Sequence, residues 1–186
     1  MIPQIHRSRP FPLAKPLVFI LSPRQRLPAS VYKRLEKSFW PIEFKGMAYA
    51  FDCTNYYAEE FGTKLYRHII CFHSLMDPAQ LVCYKWIMFY IEKEYSHENR
   101  RRYNFDIGYI DPDKLVLASL KRGKYKLYLG QGVYGDLLLE YAKGEFSPMP
   151  WAFADFSDGR YHKDLAVVRE KLKADLKKRE QVTRDR

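Results

Sequence analysis

The chain is poor in cysteine. Cys53, Cys71 and Cys83 are three in number, and no two of them form a C-x-x-C pair. That argues against a disulfide framework and a thioredoxin-type redox motif, and reads as reduced thiols serving as small core residues in a cytoplasm. His68, Cys71 and His73 fall on one strand-like segment, yet even with Cys53 they give no zinc spacing. Long apolar runs are also missing. Residues 81–91 are the most apolar stretch, eleven residues interrupted by Lys85, whereas a membrane span needs roughly 20. The run 17–21 is too short for a signal peptide. No G-x-x-x-x-G-K-[ST] loop is present, which removes the commonest phosphate cradle. No Ser-His-Asp or Cys-His arrangement emerges from spacing.

What the chain has is aromatic mass and positive charge. Fifteen Tyr and twelve Phe among 186 residues supply ample core for one domain. The net charge of +10 is uneven: residues 1–48 carry +7, residues 160–186 carry +5, and the middle carries −2. A basic balance held at the ends leaves nucleic acid as a partner to consider, but not the favoured one.

Prolines at 3, 10, 12 and 16 predict a mobile arm over 1–16. The apolar run 17–21 predicts a buried strand, and Pro28 opens a helix with Val31, Leu35 and Phe39 on one face. A strand is expected near Met47–Phe51, and a short helix with Thr54 as cap and Gly62 as stop. Another strand is expected over 64–72. Asp77-Pro78-Ala79-Gln80 starts a helix reaching about 94–97, apolar enough in its first half to lie deep against a sheet. Tyr161, Leu165, Val168, Leu172 and Leu176 stripe a last helix, with a polar fraying tail at 177–186. The fold class is therefore α+β: one domain over 17–176, with a mixed, largely antiparallel sheet and three main helices.

Between residues 103 and 141, turn signals at Asp111-Pro112-Asp113, Arg122-Gly123 and Gly130-Gln131-Gly132 separate four strand-like segments. A simple meander is expected. It would place Arg100, Arg101 and Arg102 beside Lys121, Arg122, Lys124 and Lys126 at one sheet end, a place for a small anionic ligand. Within the first segment, Asn104, Asp106 and Gly108 alternate with apolar residues. Asp106 can be a ligand group, a catalytic group or the partner of Lys126, and Gly108 can let a ligand approach the backbone. Asp52 closes a strand before a short helix, as a cap or a second catalytic candidate. Asp136 and Glu140 share a parity with Tyr134 and become weak metal candidates if they face Asp106. Trp151, Phe153 and Phe156 sit in a Pro-bearing loop that can pack on the sheet or act as a lid.

Phe51-Asp52-x-Thr54-x-Tyr56-Tyr57, Asn104-x-Asp106-x-Gly108-Tyr109 and Tyr128-Leu129-x-x-Gly132-x-Tyr134 together resemble the bacterial domain of unknown function 4416, from about residue 17 to 172. The resemblance implies a small single-domain protein and brings no assigned activity. This chain departs from the family pattern at Ile107, where the family has proline. It also departs at Trp151-Ala152-Phe153-Ala154-Asp155-Phe156, where the family has Trp-Thr-Tyr-Pro-Asp-Tyr. Ser119-Leu120-Lys121-Arg122 stands in place of a Thr-Lys-Asp segment with a nearby His. The leading functional expectation is a cytoplasmic protein that binds or acts on a small phosphate-bearing ligand. The alternatives are a nucleic-acid or ribosome-associated protein using its basic ends, and a non-catalytic interaction domain. The reaction and cofactor stay open.

Overall fold

The run that is apolar on both faces becomes the central strand, β1 (Lys15–Ser22), buried along its whole length. The computed structural model describes residues 13–98 and 100–184. On one side β1 pairs with β4 (Tyr66–Phe72), which carries β2 (Ile42–Lys45) and the two-residue β3 (Tyr49–Ala50) on its outer edge. On the other side it pairs with β5 (Asn104–Ile110), followed by β6 (Lys114–Ser119) and β8 (Val133–Ala142). β7 (Leu127–Gly130) and β9 (Glu145–Pro148) flank β8. The result is a nine-stranded sheet whose described ladders are all antiparallel.

Alternation along the strands splits the core into two layers. Val18, Ile20, Phe105 and Ile107 face α1 (Ala29–Ser38) and α3 (Leu81–Glu94). Leu17, Phe19, Ile69 and Leu117 face α5 (His162–Arg184), which contributes Leu165, Val168 and Leu172. Two short helices, α2 (Ala58–Phe61) and α4 (Ala154–Ser157), belong to loops at one end of the sheet. Helix starts follow local chemistry: Pro28 precedes α1 in an extended conformation, and the Asp77 carboxylate accepts from the Ala79 N–H. Gly62, at φ 85°, ends α2 in a region that other residues rarely adopt.

Three expectations need correction and one needs sharpening. Ala14 bridges Met76, and Lys15 and Pro16 are already strand, so residues 13–16 do not belong to an arm; residues 1–12 lie outside the described residues. At the other end α5 continues through the polar tail to Arg184, because Lys, Glu and Arg are good helix formers without burial. Helix α3 lies against the sheet as its apolar first half predicts, but by one face only. It buries Leu81, Lys85, Met88 and Ile91 and leaves Cys83 and Tyr90 exposed. The four segments after residue 103 are strands, but not a meander. β6 pairs with β8, and β7 returns to the outer side of β8 through a hairpin whose turn sets Gly130, Gln131 and Gly132 at positive φ.

One irregularity creates the candidate site. The β5–β6 ladder covers only Gly108–Ile110 against Leu115–Leu117. Beyond it, Asn104–Ile107 stay with β1 while Ala118 and Ser119 stay with β8. The sheet forks.

Candidate functional site

At the fork, helix α3 serves the edge of β5 that β6 leaves. Glu92 Oε2 accepts from the Phe105 N–H at 3.0 Å, and Lys85 Nζ donates to the Phe105 carbonyl at 3.1 Å. These contacts satisfy backbone groups that a continued ladder would otherwise pair. The gap opens into a cleft of about 740 Å³. Its floor is Asn104, Asp106 and Arg67, one lip is Leu117–Lys121, and its walls are aromatic: Phe51, Tyr56, Tyr57, Phe89, Phe153 and Phe156.

The floor is a charge network. Asp106 accepts from Asn104 Nδ2 at 2.6 Å and Arg67 Nη1 at 3.2 Å, and Lys85 Nζ lies 3.5 Å away. Burial raises the Asp106 carboxyl, but Lys85, Arg67 and Asn104 together outweigh it and hold it below the ordinary carboxylate range. Asp106 is thus a fixed anion. Arg67 is buried, and its second amino group lies 3.3 Å from Asp155, which also accepts from the Tyr161 hydroxyl at 2.8 Å. Arg67 therefore ties the sheet to the aromatic loop that forms one wall. Two buried atoms of this network, Arg67 Nε and Asp155 Oδ1, have no hydrogen-bond partner among the described residues.

Chemically, the cleft offers fixed charges and weak acids. Burial, with the Asp106 charge, pushes the Tyr57 phenol up to about 12, so it remains an O–H donor. Burial and Asp155 also raise Cys53, which sits in the cleft as a thiol rather than a ready thiolate nucleophile. On the lip, Lys126 Nζ pairs with Asp136 at 3.0 Å and donates to Ser119 Oγ. Lys121 Nζ has no carboxylate partner; it donates to the Tyr56 hydroxyl at 2.7 Å, a bond that lowers the Tyr56 pKa.

The sequence-predicted residues divide. Asn104, Asp106, Arg101, Lys121 and Lys126 line the cleft. Arg101 does so with its fork occupied by Glu60, at 2.6 and 2.7 Å, and by Glu92 and Asn104. Arg102 lines a neighbouring pocket, and Arg100, Arg122 and Lys124 are exposed outside the cleft. The seven cations do not converge, because the fork separates the two segments that a meander would join. Lys126 does not pair with Asp106; that role falls to Arg67 and Lys85. Gly108 approaches β6 rather than a ligand: a Cβ there would overlap the Val116 carbonyl oxygen and the Leu117 side chain. Asp52 is exposed and ion-paired with Arg160 at 2.9 Å, and it does not line the cleft although its neighbours Phe51 and Cys53 do. Thr54 accepts from the Tyr56 N–H instead of capping α2. Of the three metal candidates, Asp106 and Asp136 both line the cleft, with Asp136 paired to Lys126, while Glu140 does not line it; among the described residues no three His, Cys, Asp or Glu side chains are placed to hold a metal ion.

Arg67, Lys85, Glu92 and Asp155 were not singled out from sequence. A signal existed for the first two, as charges inside runs that otherwise read as core.

A forked antiparallel sheet with an aromatic cleft at the fork defines this α+β protein. A family model described as Domain of unknown function (DUF4416) matches residues 12–172, and the chain belongs to that family. The match spans every residue of the cleft and ends at Leu172, the last fully buried residue of the α5 stripe. No curated protein and no solved structure matches the chain.

Proposed function

We propose that the protein is a cytoplasmic protein that binds, or acts on, a small ligand joining a flat ring to an anionic group such as phosphate. The observation that carries this reading is the basic lip over the aromatic cleft. Lys121 and Lys126 line the cleft, and of these two only Lys126 has a carboxylate partner among the described residues; Arg122 and Lys124, exposed on the same turn, lie outside it. The aromatic walls suit a ring, and the lip suits its charged substituent. In the floor network Arg67 and Asp155 are buried and Asp106, a quarter exposed, is held by its partners, so the network can orient polar groups of the ligand at little reorganisation cost. Three free cysteines accord with a reducing compartment. Among the described residues no helix is long and apolar enough to cross a membrane.

The test separates ring from charge. Calorimetric titration of phenyl phosphate and a nucleoside monophosphate should show binding, while phenol should bind far more weakly. The double variant Lys121→Gln/Lys126→Gln should weaken the charged ligands and leave phenol unaffected. Equal affinity for charged and uncharged rings, or no binding of either, would overturn the proposal.

A further inference from the structure

Behind Arg101, on the far side from the cleft floor, lies a second cavity of about 370 Å³ lined by Arg24, Arg101, Arg102, Glu60 and Phe61. Its one lining carboxylate is already engaged, because both oxygens of Glu60 accept from the Arg101 fork. That bond, against the opposing effect of partial burial, holds Glu60 below its ordinary range. The guanidinium groups of Arg24 and Arg102 are exposed and have no hydrogen-bond or ion-pair partner among the described residues. Two arginines without a partner among the described residues thus face a pocket whose one acid among those residues is neutralised by a third.

The loop that presents Arg24 is held at both of its backbone polar groups. The Arg24 N–H donates to Ser22 Oγ at 3.0 Å, and its carbonyl lies 2.9 Å from His68 Nε2. Ser22 and His68 are both buried. Burial lowers the His68 pKa, and the bond to Arg24 opposes it only in part, so the ring is neutral and its Nε2–H donates. Pro23 stiffens the same loop. Two buried side chains thus fix the backbone of an exposed arginine.

We propose that this pocket is a second anion site, taking a phosphate group between Arg24 and Arg102. Planar guanidinium forks match phosphate oxygens, and two of them can chelate one group. Arg101 is the shared wall between this site and the cleft. The proposal does not depend on the cleft reading and would hold if the cleft took no ligand.

The probe is inorganic phosphate, titrated calorimetrically at low ionic strength into the full chain. Arg24→Gln and Arg102→Gln should each weaken binding by about tenfold or more, the scale of a charged hydrogen-bond partner. Lys33→Gln, an equal charge change at an exposed position of α1, should barely alter it. Lys121→Gln should affect only a separate binding event at the cleft, one that Arg24→Gln and Arg102→Gln leave intact. Thermal unfolding of all four variants should match wild type, since the altered side chains are exposed. Absence of phosphate binding by wild type would overturn the proposal, as would uniform weakening across the four variants. Loss confined to Lys121→Gln would also overturn it, while leaving the cleft reading intact.

Discussion

Two clusters of buried charge sit on the α5 side of the sheet, and they are built differently. Lys15 is 0 % exposed, and its ammonium meets three oxygens: the His73 carbonyl at 3.0 Å, Glu43 at 2.8 Å and Asp175. Its charge is met by two carboxylates, although the Glu43 contact is ionic and leaves Glu43 Oε2 without a hydrogen bond among the described residues, and the cluster clamps α5 and β2 to the central strand. Arg67 is as deeply placed but incompletely matched. Its two amino groups reach Asp106 and Asp155, its Nε has no partner among the described residues, and the Asp106 side chain is a quarter exposed to the cleft. A cluster that lines neither cavity has little to give a ligand. An unsaturated one beside a cavity has already been desolvated and can still gain contacts. The difference separates scaffold from site more sharply than charge count does.

The largest expected effect is on the scaffold side. Lys15→Met strands Asp175, leaves Glu43 with Lys171 alone, and should cost about 3–5 kcal/mol in urea denaturation, the range for breaking a buried pair. Asp106→Asn should cost less, about 1–3 kcal/mol, because water reaches the group, Arg67 keeps Asp155, and Lys85 keeps the Phe105 carbonyl. If the two costs reverse, Asp106 is the rivet and the comparison fails.

The pH dependence distinguishes the clusters further. Burial lowers the Lys15 pKa, but the bonds to Asp175 and Glu43 outweigh it and leave the group above 10.5. Its contribution is therefore complete below pH 10.5 and lost as pH rises through the higher folded value. Asp106 is depressed below 3.8, so its contribution is present above that pH and lost as pH falls through the folded value. Lys15→Met should flatten the alkaline limb of a stability–pH profile, and Asp106→Asn should flatten part of the acid limb. Variants that alter the opposite limbs would contradict the assignment. The smallest stability effect belongs to Lys121→Gln, which should leave the unfolding midpoint unchanged while weakening charged ligands.

Local signals were legible in the sequence where chemistry is local. The two-sided apolar run of β1, Pro28 before α1, the Asp77 carboxylate, Gly62 and the α5 stripe all act within a few residues of themselves. Short edge strands were not legible: β2 and β9 have four residues each and lean on β4 and β8 for their pairing. Strand order was not legible either, because the same turn signals fit a meander and the observed β5–β6–β8–β7 arrangement. The site inherits that gap. Asn104, Asp106, Arg101, Lys121 and Lys126 were found as residue types on a strand and a basic turn. Their partners, Arg67, Lys85 and Asp155, come from elements that only the fork brings together.

The most direct measurement is an amide NMR titration with phenyl phosphate. A site at the fork requires shifts at residues 104–106, 118–121 and 153–156, with Lys15, Glu43 and Asp175 unmoved. Shifts centred on the Lys15 cluster, or scattered over the basic surface without saturation, would contradict it.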